Sequence, residues 1–221
     1  MPTASRRLGG EFLVGSSSIL SSDSARGRTI ANGHPGPSGR SRATRSHPST
    51  ARNGHDLISL GFISSPQHSA LIDNSKPISQ LEVQDYEAIF FVGGEGPMYT
   101  FYDNDRVHKL AAQFYKTGKI TAVVCHATCL LLKAKVDGAL LVKGKTWTGF
   151  ANSEEKYADD FIGKRMQPFW IEEEAKKIPD TNFIVSGRFK AHAVRDGNLI
   201  TGQQQYSALA AARLVIEALG V

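Results

Sequence analysis

At 221 residues, with 41% apolar and 21% charged residues, the chain has the size and balance of one α/β domain with a sizeable core. The net charge of +5 is no sign of a nucleic-acid surface: residues 1–55 hold eight Arg, no Lys and only Glu11 and Asp23 as acids, so they carry +6 and the rest −1. No window nears the ~18 continuous apolar residues of a membrane span, and Cys125 and Cys129, four apart, suit one helical face in a reducing setting better than a relaxed disulfide.

Residues 1–55 differ in kind from the rest of the chain. They contain eleven Ser, eight Gly and four Pro, with apolar islands at Phe12-Leu13-Val14 and Ile19-Leu20 and no sustained period. That composition fits a disordered extension, an Arg- and Ser-rich transit peptide, or a stretch translated out of frame. A nucleic-acid arm would want interleaved aromatics, and Phe12 is the only one. The predicted organisation is an atypical segment over 1–55 and a folded domain over 56–221.

From Asp56 the pattern tightens. Leu57 to Ile63 reads as a short strand or turn closed by Ser65-Pro66, and Gln67 to Asn74 as a short helix. Ala88-Ile89-Phe90-Phe91-Val92 is a continuous apolar run suited to a strand covered on both faces. Gly93-Gly94-Glu95-Gly96 comes at once after it, which marks either a plain tight turn or a place needing positive φ or close backbone approach. It lacks the G-x-G-x-x-G spacing of a dinucleotide site. Asp103 to Tyr115 reads as a helix, with Asp103 or Asn104 as its cap.

The run Ile120-Thr121-Ala122-Val123-Val124, introduced by Gly118-Lys119, predicts a buried strand, and Cys125-His126-Ala127-Thr128 leads from it into an apolar helix. A sharp strand-to-helix turn there would lift the Cys125 side chain clear of the sheet, at a helix N-terminus that favours thiolate. A lone cysteine after a strand is also a common core residue. Val123 to Thr128 alone leave both readings open.

Downstream, Ala139 to Phe150 suggests a hairpin or strand pair, and Ser153 the cap of a short helix carrying Glu154 and Glu155. Glu172-Glu173-Glu174 opens another helix as its solvated, dipole-favoured start. Phe183–Ser186 and Ala193–Arg195 flank a polar turn. Asp196-Gly197-Asn198 then turns into Leu199–Gly202, and Ala208–Leu219 closes the chain as a helix. Strands alternating with helices predict a parallel sheet, whose ligands bind beyond the strands' carboxyl ends. The Gly93–Gly96 loop and Cys125 converge there.

Four stretches in this order carry a resemblance: Tyr86 to Gly96, Ala122 to Ala127, Thr148 to Glu155, and Leu199 to Gln203. Over about 57–221 the chain resembles the ThiJ/PfpI family of class I glutamine-amidotransferase-like proteins, which includes glyoxalase III heat-shock chaperones and the parkinsonism-associated deglycase. The resemblance implies a flavodoxin-like α/β three-layer sandwich with a mostly parallel sheet, in a cytoplasmic homodimer, or an organellar one if residues 1–55 act as a transit peptide. It implies Cys125 as nucleophile, His126 as acid/base or its orienter, and backbone N–H groups of Gly94 and His126 as an oxyanion hole, with Gly93, Glu95, Gly96 and Glu154 lining the site. The implied reaction takes a small aldehyde or ketoaldehyde without cofactor or metal, as in conversion of methylglyoxal to lactate, or deglycation. No nucleic acid or membrane is implied. The alternative is a stress chaperone or cysteine redox sensor without turnover.

Two departures stand out. Glu95 occupies the loop position where many of the glyoxalase branch have His, and an ionised carboxylate donates no hydrogen bond. The family also carries a catalytic carboxylate just after its first strand, and residues 1–55 show no such strand; Glu11 is their only Glu. The N-terminal strand unit is therefore expected to be missing or replaced, and the chain as written to fold poorly and lack the catalytic acid.

Overall fold

Four strands of the main sheet run one way and a fifth runs against them. The computed structural model describes residues 12–15, as backbone, and 57–221. Strand β1 (Phe12–Gly15) pairs in parallel with β2 (Ala88–Phe91), β2 with β3 (Ile120–Val124), and β3 with β5 (Leu199–Gly202); β4 (Ala193–Asp196) closes the edge antiparallel to β5. The order is β1-β2-β3-β5-β4. All five residues of β3 are buried, so both faces of the sheet are covered at its middle. Helix α3 (Asp105–Lys116) packs on β2 and β3, and α6 (Ala208–Leu219) on β3, β5 and β4.

The first strand is a correction to the sequence reading. The composition of residues 1–55 predicts none, yet Phe12–Gly15 lies in register with Ala88–Phe91. Four residues, the last of them Gly15, are too few to display a period of two. Glu11 lies outside the described residues.

Pro77–Val221 form one compact unit with β1, and a second unit, ending at Lys76, is described from Leu57 onward. In the second unit, Leu57–Ser64 is a helix (α1) rather than a strand or turn, because a short apolar run carries no period that separates the two. Ser65 caps the next helix, α2 (Pro66–Asp73), and Pro66 sits at its first position.

Two further expectations shift. The stretch Ala139–Phe150 is not one hairpin. Ala139–Leu140 pairs back on Lys135–Val136 through Asp137-Gly138, both at positive φ, while Thr146–Trp147 pairs in parallel with Asn182–Phe183. The chain after β3 is also not an α-helix but 3₁₀ turns from Cys125 to Leu132, buried as far as Leu131. Asn198 fixes the approach to the elbow: its amide donates to the carbonyls of Tyr115 and Lys119 at 2.9 Å each, and its own carbonyl accepts from Thr121 N.

Candidate active site

At the carboxyl end of β3 the backbone turns sharply, and Cys125 takes φ 62°. A side chain held in the left-handed region is strained, and it persists only where its surroundings over-determine it. Three contacts do so. Thr128 Oγ1 donates to the Cys125 carbonyl at 2.7 Å. Gly149 lies against that threonine so closely that a Cβ there would stand 2.4 Å from Thr128 Oγ1. On the other side a Cβ on Gly93 would meet Cys125 Cβ at 2.5 Å and Val124 O at 2.7 Å. Gly94, beside it, has φ +106°. The loop after β2 thus needs glycine for both reasons, close approach at one residue and backbone conformation at the next.

The imidazole of His126 lies between two partners. Its Nδ1 is 3.6 Å from Cys125 Sγ, and its Nε2 is 3.1 Å from Glu155 Oε1. The ring stacks on Phe150 with centroids 3.9 Å apart, which fixes its plane. All four side chains are buried. Burial disfavours charge on His126, but hydrogen bonds to the Cys125 sulfur and the Glu155 carboxylate outweigh it, and the pKa rises to about 10. Burial pushes the Glu155 carboxyl up, opposed by His126. Within the pair the proton belongs on the ring, where both partners accept from it.

Glu155 comes from the first turn of α4 (Asn152–Ile162). Its neighbour Glu154, expected to line the site, is placed otherwise. Its Oε2 accepts from Ala151 N at 3.0 Å, and its Oε1 from Phe189 N at 3.0 Å and Gln203 Nε2 at 2.8 Å. Ala151, not Ser153, is the N-cap residue, so Glu154 occupies the third helical position and reaches back to the cap. With Ala at the cap the usual Ser/Thr signature is absent, and the register that turns Glu155 toward His126 is hidden. Sequence reasoning assigns Thr128, Phe150 and Glu155 no particular role, although Phe150 and Glu155 fall in the Thr148–Glu155 stretch that carries the resemblance; the capping register is what separates Glu155 from Glu154.

Of the loop residues, Gly93 backs onto Cys125, while Gly94 and Glu95 are exposed. Glu95 accepts from the Gln167 amide. Cys129 is buried, its thiol donating to Pro97 O at 3.4 Å, and burial pushes its pKa far up. Among the described residues no group of three or more His, Cys, Asp or Glu side chains is placed to hold a metal ion. No helix among them is long and apolar enough to cross a membrane.

A strained cysteine at a strand end, braced by a glycine loop and followed by an engaged histidine, invites comparison with known proteins. Residues 62–218 match the model of the DJ-1/PfpI family. The chain belongs to that family. Glyoxalase 3 of Candida albicans is 30% identical over 169 residues, covering 75% of this chain and 71% of that protein. The glutathione-independent glyoxalase HSP31 of Saccharomyces cerevisiae is 29% identical, covering 65% and 62%. The crystal structure of the Candida glyoxalase III superposes with a TM-score of 0.62 at 28% identity, over 75% of this chain and 70% of that one. This DJ-1/PfpI protein has the flavodoxin-like α/β architecture that the sequence motifs imply, with β1 restored to its sheet.

Proposed function

We propose that the protein is a cofactor-independent glyoxalase that converts methylglyoxal to lactate at Cys125. The observation that carries this reading is the chain Cys125 Sγ–His126 Nδ1, His126 Nε2–Glu155 Oε1 on a strained elbow. Names of the relatives at about 30% identity point the same way.

The residues fit the steps of an internal redox reaction. The Cys125 sulfur adds to the aldehyde carbon, the C–S bond forms as the carbonyl π bond opens, and His126 gives its Nδ1 proton to the oxygen. The ring, now neutral, takes the proton from that carbon and returns it to the adjacent one while the hydroxyl proton passes from the first oxygen to the second, so the aldehyde carbon is oxidised and the ketone carbon reduced. The product is a thioester of the 2-hydroxy acid. Water cleaves it, lactate leaves, and the sulfur is restored. Glu155 holds the ring in one orientation throughout. Backbone N–H groups of Gly94 and His126 are the proposed donors to oxyanions formed along the way.

The test is lactate formation from methylglyoxal by purified protein without glutathione, with Cys125→Ser beside it. Activity abolished in that variant is expected; an inactive wild type would end the reading. The same reading takes 56–221 as the catalytic domain of a cytoplasmic homodimer, and a light-scattering mass equal to one chain would remove the dimer.

A further inference from the structure

The exposed edge of the Gly93–Gly96 loop carries one charge, Glu95, and its carboxylate is engaged by Nε2 of Gln167. Gln167 is only 3% exposed. It belongs to the segment joining α4 to α5 (Ile171–Ala175), which a second contact ties to the same region: the Tyr99 hydroxyl donates to Met166 O at 3.1 Å. Of the two cations in this segment, Lys164 and Arg165, the second is engaged. Arg165 lies over the Trp170 ring at 5.0 Å and donates through Nε to the Gln167 carbonyl. Asp159 adds a further carboxylate, accepting from Met166 N at 2.8 Å.

Two buried groups of this segment are left over, the Trp170 indole N–H and the Gln167 side-chain oxygen. Gln167 Oε1 is buried with no hydrogen-bond partner among the described residues. A buried amide oxygen in that state calls for a donor beyond the described residues, such as a ligand hydroxyl. The loop bearing Glu95 is also the one whose Gly93 presses on Cys125. The negative charge reaches the site as well, for Glu95 and Asp159 both act on Glu155 to favour its protonated form.

We propose that Glu95 and Gln167 form a substrate-selecting pair beside Cys125, which accepts hydrogen bonds from the hydroxyls of a neutral aldehyde hydrate and turns away carbonyl compounds bearing a carboxylate or phosphate. The hydrate sheds its water before the sulfur adds to the carbonyl. The aldehyde rests on the glyoxalase reading; the screening by charge does not, since it acts on any reagent that approaches the sulfur. Glu95 and Gln167 position substrate and take no part in proton transfer.

The experiment separates the two. In a Cys129→Ala background, with Cys125 the only thiol, alkylation rates are measured with iodoacetamide, which is neutral, and iodoacetate, which is anionic. Relative to a small free thiol, the protein should prefer the neutral reagent by about tenfold, and the preference should shrink as salt is raised. Glu95→Gln should remove it, and Glu95→Asp should keep it. Gln167→Ala should raise KM for methylglyoxal several-fold with kcat within about twofold and the same cooperative melt. A preference unchanged by Glu95→Gln, or a KM unmoved by Gln167→Ala in an active enzyme, overturns the proposal. Loss of the preference in Glu95→Gln alongside a wild type that makes no lactate would sink the glyoxalase reading alone.

Discussion

Two adjacent glutamates of this protein should fail in different ways. Glu154 satisfies three donors that would otherwise be buried and bare, while Glu155 serves His126. Each orphaned donor costs about 1–3 kcal/mol. Glu154→Ala should therefore lower the melting temperature by roughly 5–10 °C or more. Glu155→Gln should leave the fold largely in place and lower kcat by about a hundredfold, since the ring loses the partner that orients and charges it. Calorimetry and steady-state kinetics on both variants check this, and matching profiles would contradict it. His126 adds a pH dependence. Its folded pKa of about 10 lies above the ordinary 6.5, so its stabilisation is complete below 6.5 and is lost as pH rises through about 10. Glu155 is also raised and acts with the same sign. The melting temperature should fall across that window, and by less in His126→Asn. Cys129, high in pKa and bonded to Pro97 O, should be dispensable: Cys129→Ala keeps Cys125 reactive towards thiol reagents.

The strand–elbow unit depends on space as much as on chemistry. Gly93→Ala must displace Cys125 Cβ or the Val124 carbonyl, whereas an added Cβ at Gly94 meets open space and only the strain of φ +106°. Strain of that kind costs about 1–2 kcal/mol. Gly93→Ala should thus slow alkylation of Cys125 markedly, and Gly94→Ala should change it little while lowering stability slightly. The opposite ranking would mean that the loop does not wall the cysteine in. Legibility divides along the same line. β3 could be read because five apolar or β-branched residues stand between turn signals, and α6 because its Ala/Leu run is long enough to exclude a strand. α1 could not, since a short apolar run has no period of its own. Gln167 was invisible, a lone amide in Gly163-Lys164-Arg165-Met166-Gln167 with no pattern around it; only the contact with Glu95 singles it out.

For the whole molecule, the decisive revision is β1. A sheet ending at β2 would present the edge of Ala88–Phe91 to solvent, and open apolar edges invite association. With Phe12–Gly15 paired there, the expectation of a chain unable to fold no longer rests on a missing strand. The prediction becomes a comparison: a chain starting at residue 56 should melt lower than the full chain and elute partly as aggregate. Equal melting and elution would show that β1 contributes nothing. Sequence pattern could not reveal this strand, because its partner lies far along the chain and a register made only in the folded state leaves no local period.

The left-handed backbone of Cys125 has a corollary for how this protein could have been selected. Glycine adopts φ 62° freely, whereas alanine and cysteine do not. Cys125→Gly should then be more stable than Cys125→Ala by about 1 kcal/mol, reversing the usual helix ranking of the two residues. The residue most suited to the backbone at this position is the one that abolishes the nucleophile. Selection for foldedness alone would drift away from cysteine here, so its retention across generations would itself be a record of use.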